Sequence, residues 1–302
     1  MSPDSDRVIR AGDSAVAPFA LEITPKSAGW GYSGLRVLEL EPGQSEDFGT
    51  EGSETLILSL GGSAEVTVDG HTFVLEGRDN VFAGPSDVVY APRDAEVSVL
   101  SEAGGRFALA SSRCDNRLPP AYLAKADVPV EMRGAGHSSR QVNNFGVPGV
   151  LEADRIIACE VLTPGGNWSS WPPHKHDEER DGETALEEIY YFEVADGPGG
   201  AGPGIGFQRV YGHAGADIDV TAEVRSGDVV LIPHGWHGPS VAAPGYDLYY
   251  LNVMAGPGDE RAWLICDDPA HTWVRDTWAD QSVDPRLPFT AGTVTAPEGD
   301  HV

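Results

Sequence analysis

The chain has few cysteines, few basic residues and no long apolar run. Its three cysteines, Cys114, Cys159 and Cys266, are odd in number and widely spaced. That spacing argues against a disulfide scaffold and against a thiolate zinc cluster. Lys and Arg number 20 against 47 Asp and Glu, a formal net charge of -27. No basic run offsets that charge, so nucleic acid and anionic membranes are disfavoured as partners. No apolar stretch reaches the roughly 18 residues of a membrane-spanning helix. Met1 leads into Ser-Pro-Asp and not into a basic, then apolar, signal segment, so a cytoplasmic location is expected. Two motifs are also missing: a glycine-rich turn between strand and helix that would cradle a nucleotide, and a turn presenting a nucleophilic Ser or Cys.

What the chain does hold is 37 glycines and 23 prolines in 302 residues. At this level they break helices and favour short strands joined by turns. No segment shows a helical period. In the first half, strands are read at residues 35–40, 54–60, 64–68, 71–75, 88–92, 96–100 and 106–110. Gly61-Gly62 is read as closing the second strand, and Asp69-Gly70 as a hairpin turn. Residues 1–20 read as an irregular lead-in or an edge strand. Residues 111–150 form a crossover, in which 134–145 is polar and glycine-rich and could hold a substrate-contacting arginine. Strands resume at 155–162, 186–194, 207–211, 229–232, 246–254 and 261–266, and 291–302 reads as a loose tail. The fold class expected is all-β, with two related barrel or sandwich modules at residues 1–135 and 136–302. Glu54 and Glu188 head similar strands in the two halves, and residues 77–85 echo 227–233.

The chemistry concentrates in the second half. In an extended Pro172-Pro173-His174-Lys175-His176-Asp177, His174 and His176 share one face while Lys175 points away. Glu187-Glu188 opens a following strand, and His234-Gly235-Trp236-His237 follows an apolar one. Three imidazoles and a carboxylate suit a divalent first-row ion and leave room for water or substrate. Strand parity alone does not choose between Glu187 and Glu188. Of His234 and His237, the glycine turn favours His237 as the inward residue. Trp168, Trp171, Trp236 and Trp263 suit either the mouth of a polar pocket or the edges of a β core.

These stretches resemble the two motifs of the cupin superfamily. More closely, residues 20–290 resemble the 5-deoxy-glucuronate isomerase family of bacterial myo-inositol catabolism. The resemblance rests on 159–170, Pro172 to Asp177, 186–193, 233–240, 249–256 and 267–271, with support from 24–30 and 136–145. It implies a bicupin whose first half lacks metal, since Glu54 has no His-x-His before it. The second half would hold one divalent ion, Zn, Mn or Fe, through His174, His176, Glu188 and His237. The 11 residues between His176 and Glu188 exceed the usual cupin spacing and imply a loop inserted at the barrel mouth. The implied reaction interconverts an aldehyde sugar acid and its ketose isomer, which needs a polarised carbonyl and either a base or a hydride shift. Glu187, Tyr190 and Tyr249 are the candidate catalytic groups. Arg209 foremost, then Arg155, Arg140 and Lys175, are candidates to hold the substrate carboxylate. The expected partner is a small sugar acid, and a homodimer is an option carried over from cupin-like proteins. Two rival readings remain, a cupin dioxygenase and a non-catalytic sugar-acid binder.

Overall fold

Short apolar segments separated by glycine and proline assemble into three sheets in a computed structural model that describes residues 5–290. The tail expected at 291–302 lies outside the described residues. Among the described residues, helix is confined to the four-residue Pro25–Ala28 and a few 3-10 segments, of which Thr272–Asp280 is the longest. Among the described residues, no helix is long and apolar enough to cross a membrane.

In the nine-stranded sheet of the first half, one strand, Ser53–Val68, is shared between two layers. Its first part pairs with Val88–Ala91 and Gly105–Arg113; its second part pairs with His71–Arg78 and Glu96–Ser101. Gly61-Gly62 therefore does not end this strand as expected; it bends it, with register shifts on either side. Glycine is required there. Gly62 has φ 98°, and a Cβ would stand 2.6 Å from the carbonyl oxygen of Gly104. The Asp69-Gly70 hairpin forms as expected, with φ 47° and 80°.

The second half builds most of a seven-stranded sheet, to which Val8–Ile9 and Val130–Arg133 add from before residue 135, and a six-stranded one. The first runs Val229–Ile232, Glu187–Val194, Leu248–Ala255, Ile157–Thr163, Arg140–Gly146 and Val130–Arg133, with Val8–Ile9 added at its edge. The other is built on Ala216–Val224, Gly206–His213 and Trp236–Ala242. Several of these strands were not expected. Ala216–Val224 alternates buried and exposed positions through Ile218, Val220, Ala222 and Val224, the period of a half-buried strand. Arg140–Gly146 is a buried strand where only a polar crossover was read. Conversely, residues 261–265 form no strand, and only Cys266–Asp267 pairs there.

Alternation along the strands sorts side chains into three cores. One lies inside the first half, around Val66, Val97 and Phe107. A second lies inside the second half, around Val161, Tyr190 and Tyr250. The third joins the halves back to back, Leu56 and Leu58 meeting Ile189, Tyr191 and Leu251. Each such side chain contributes about 1.5–3 kcal/mol when fully buried. Buried polar pairs also cross this junction: Arg78 of the first half bonds Glu160 of the second, which also accepts from Tyr249 Oη at 2.7 Å.

Two carboxylates clasp the junction in opposite directions. Fully buried Glu54 accepts the backbone N–H groups of Asp154, Arg155 and Ile156 at 2.6–2.7 Å, and the Tyr90 hydroxyl at 2.9 Å. Glu187 accepts the N–H groups of Gly31, Tyr32 and Ser33 at 2.6–3.1 Å. Glu54 shares the face of Leu56, as Glu187 shares that of Ile189. The counterpart of Glu54 is thus Glu187, and Thr55 stands where the second half has Glu188. The expected correspondence of Glu54 with Glu188, as heads of similar strands, is therefore one residue out of phase.

Candidate metal centre

His174–Lys175 is a two-residue extended segment that pairs with Trp236–Ala242, placing His174 directly opposite His237. The turn before that strand needs Gly235: its φ is 92°, and a Cβ would meet the Tyr211 carbonyl oxygen at 2.8 Å. The turn leaves His234 half-buried, with its Nε2 donating to Asp217 O at 3.2 Å, and brings His237 inside. Glu188 arrives from the facing sheet, on the side of its strand opposite Glu187.

His174, His176 and His237 are all buried, and one ring nitrogen of each lies within 4.8 Å of the other two. Glu188 Oε2 is 3.1 Å from His176 Nε2 and 3.0 Å from His237 Nε2. The other ring nitrogens fix the tautomers. His176 Nδ1–H donates to Leu186 O at 3.3 Å, and His237 Nδ1–H donates to Gly235 O at 3.1 Å. With Nδ1 committed in both rings, Nε2 is the atom of each that faces the carboxylate, and His176 Nε2 is within hydrogen-bond reach of it. Despite its distance, His237 Nε2 is out of line for a hydrogen bond with Glu188 and is left buried without one. The His237 Nε2 lone pair and the carboxylate repel each other at this distance unless a cation sits between them. This orphaned nitrogen and the all-donor-atom cluster fit one divalent ion.

The electrostatics point the same way. Burial, reinforced by His237, His176 and the guanidiniums of Arg140 and Arg133, holds the His174 pKa well below the usual imidazole value. It is neutral and able to ligate. Burial would raise the Glu188 carboxyl, but His237 and His176 outweigh it and take it down to about 2. Burial would lower His176, and the hydrogen bond and charge of Glu188 reverse that.

Around the cluster, the Tyr190 ring lies 6.0 Å from His237. Its hydroxyl meets Ser170 Oγ at 3.0 Å, and Ser170 meets the Tyr250 hydroxyl at 3.1 Å. Burial raises both phenols above their ordinary pKa, so they are proton donors at neutral pH. Arg140 is buried near the same cluster, its charge felt at His174.

The other residues singled out in the sequence are not gathered here. Glu187 faces the junction, and Tyr249 points away on the face opposite Tyr250. Arg155 binds the carbonyls of Gly256 and Gly258 and the carboxylate of Asp115. Arg209 binds Asp219 on the second half's outer sheet. Lys175 is 3% exposed, with Nζ 2.6 Å from Asp177, 2.7 Å from Glu183 and 3.2 Å from Glu178. These ion pairs, with Arg180 on Glu183, pin the segment inserted between His176 and Glu188. Sequence reasoning did not single out Ser170 and Tyr250, nor Asn252, which lies opposite Tyr190 with its Nδ2 buried and unpartnered. Alternation along Leu248–Ala255 puts Tyr250 and Asn252 on one face, but nothing in the sequence says which face is inner.

A family model for the KduI/IolB family matches residues 9–274. The 5-deoxy-glucuronate isomerase of Geobacillus kaustophilus is 39% identical over 264 residues, covering 85% of this chain and 91% of that protein. That of Bacillus subtilis strain 168 is 37% identical over 256 residues, covering 84% and 91%. Among solved structures, an IolB-like protein of Salmonella typhimurium superposes with a TM-score of 0.80 at 33% identity, over 88% of this chain and 98% of that one. An oxalate decarboxylase of Lactobacillus farciminis, 15% identical with a TM-score of 0.59 over 82% of each chain, shares the fold alone. Matched along most of its length by the family model and by relatives well above 30% identity, the chain belongs to the KduI/IolB family.

Proposed function

We propose that this chain is a metal-dependent aldose–ketose isomerase converting 5-deoxy-D-glucuronate to 5-dehydro-2-deoxy-D-gluconate in myo-inositol catabolism. The observation that carries the reading is the buried convergence of His174, His176, His237 and Glu188, in a chain 39% identical to a 5-deoxy-glucuronate isomerase. These four side chains would hold one divalent ion. When bound, that ion supplies a Lewis acid that polarises a carbonyl and stabilises charge on adjacent oxygens.

The chain's own groups supply the rest. Tyr190 shares the inner face with Glu188 and keeps its proton, so it serves as a donor to a substrate oxygen and not as the base. Ser170 and Tyr250 extend the hydroxyl chain behind it and orient that proton. Burial of the cluster keeps bulk water from the reacting carbons. Glu187 and Tyr249, turned toward the junction, are better read as structural.

We further read each half as a cupin barrel, divided near residue 135, with the first as scaffold and the second as the metal-bearing module. The segment inserted between His176 and Glu188 lies at the mouth of the second. The substrate is a small sugar acid, and the assembly could be a homodimer.

The rival dioxygenase reading makes a different demand on oxygen. The isomerase keeps its full rate with 5-deoxy-glucuronate under strictly anaerobic conditions and draws no oxygen at an electrode in air. Oxygen uptake stoichiometric with product, and no turnover without oxygen, would replace the isomerase with an oxygenase.

A further inference from the structure

Three basic side chains in the described residues are buried: Arg78, Lys175 and Arg140. Arg78 has Glu160, and Lys175 has Asp177 and Glu183. Arg140, only 5% exposed, has no carboxylate partner among the described residues, although the chain carries an excess of acids. Its Nη1 donates to the carbonyls of Ser138 at 3.0 Å and Trp171 at 3.3 Å, and its Nε and Nη2 have no acceptor among the described residues. Burying a guanidinium without an anion is costly. The neighbours do not offset it. Arg140 lies across from Arg133 in the strand register, and its guanidinium sits 5.6 Å from the Trp278 ring that also carries Arg275. Arg133 and Arg275 are neutralised by Glu131 and Asp267. Burial and these like charges bring Arg140 down to about 10, still charged at neutral pH.

The position is suited to a ligand. Arg140 heads a strand on the same face as Val142, which points into the core of the second half. Its acceptor Trp171 lies three residues before His174. Two other buried donors lack acceptors: Trp278 Nε1, on the ring beneath Arg140, and Asn252 Nδ2, further along the same face in register with Tyr190. A set of donors lacking acceptors, beside a cluster able to hold a cation, calls for an oxygen-rich anion.

We infer that Arg140 is the carboxylate anchor of the active site, with Asn252 and Trp278 donating to the same sugar acid whose carbonyl end lies at the histidines. The inference rests on the isomerase reading for the identity of that acid, but the anion site stands on its own geometry. Arg209, Arg155 and Lys175 already hold carboxylates of this chain and are not needed for the substrate.

The test compares the turnover of an acid and a neutral aldose and adds the binding of a second sugar acid. Arg140→Met should lower kcat/KM for 5-deoxy-glucuronate about 100-fold, chiefly through KM, the effect of a lost charge-assisted bond. Turnover of 5-deoxy-glucose, which has a hydroxymethyl group in place of the carboxylate, should fall far less. Arg140→Lys keeps the charge without the fork and should restore part of the acid preference. Calorimetry with D-glucuronate should show binding to the parent protein weakened at least 10-fold by Arg140→Met, with metal content and Tm held as controls in both variants. An equal loss for acid and neutral sugar, or unchanged glucuronate affinity, overturns the anchor. Arg140-dependent glucuronate binding in a parent protein that does not isomerise 5-deoxy-glucuronate would keep the anchor and remove the isomerase reading.

Discussion

His176→Ala should strip the bound metal and nearly all turnover while leaving the β-sheet content intact. His176 is one of three buried imidazoles around Glu188, and its Nδ1–H is already committed to Leu186 O, so Nε2 is its only ligating atom. A Lewis acid contributes several kcal/mol of transition-state stabilisation, which corresponds to a rate loss of about 1,000-fold or more when it is absent. Metal binding to the folded state alone also raises Tm by mass action. The parent protein should therefore melt higher when loaded than when chelated, and His176→Ala should show no such difference. Elemental analysis and paired melting curves check this directly. Full metal occupancy and full activity in the variant would remove the site. His174→Ala should behave alike.

Glu54→Ala should unfold far more easily yet keep its metal. The Glu54 carboxylate is buried at the junction and satisfies three N–H groups of residues 154–156 together with the Tyr90 hydroxyl. Removing it leaves buried donors without acceptors, each costing about 1–3 kcal/mol, so a loss of about 3–5 kcal/mol is expected once partial relaxation is allowed. Denaturant titration measures the loss, and elemental analysis of the folded variant should give the parent's metal content. Metal loss together with unchanged stability would mean that Glu54 serves a ligand role in the first half, contrary to its observed partners.

Much of this architecture can be read from single residues. Glycine and proline marked most strand ends in the first half, Asp69-Gly70 forms the expected hairpin, and the His174-Lys175-His176 alternation places both imidazoles on one face. The misreadings share one physical cause: a local pattern does not say what lies on either side of a strand. Gly61-Gly62 reads as a terminator, but the close approach of Gly104 makes it a bend inside one long strand. Arg140–Gly146 is polar in sequence, and its burial comes from neighbours far along the chain, Ile157–Thr163 and Val130–Arg133. The same blindness to facing left Glu187 and Glu188 undecided and set Tyr249 ahead of Tyr250. Choosing among the arginines depended on counting partners, which only tertiary structure supplies. Arg155 and Arg209 are spoken for by Asp115 and Asp219, and Arg140 is not.

The most direct measurement is an anaerobic NMR time course of 5-deoxy-glucuronate with purified protein, run as loaded with metal, after chelation and after metal is restored. The account predicts growth of the 5-keto-2-deoxy acid signals in the loaded sample, none after chelation, and recovery on reloading. Product formed at the same rate in the chelated, metal-free protein would contradict it. So would an intact, fully loaded protein that leaves the substrate unchanged.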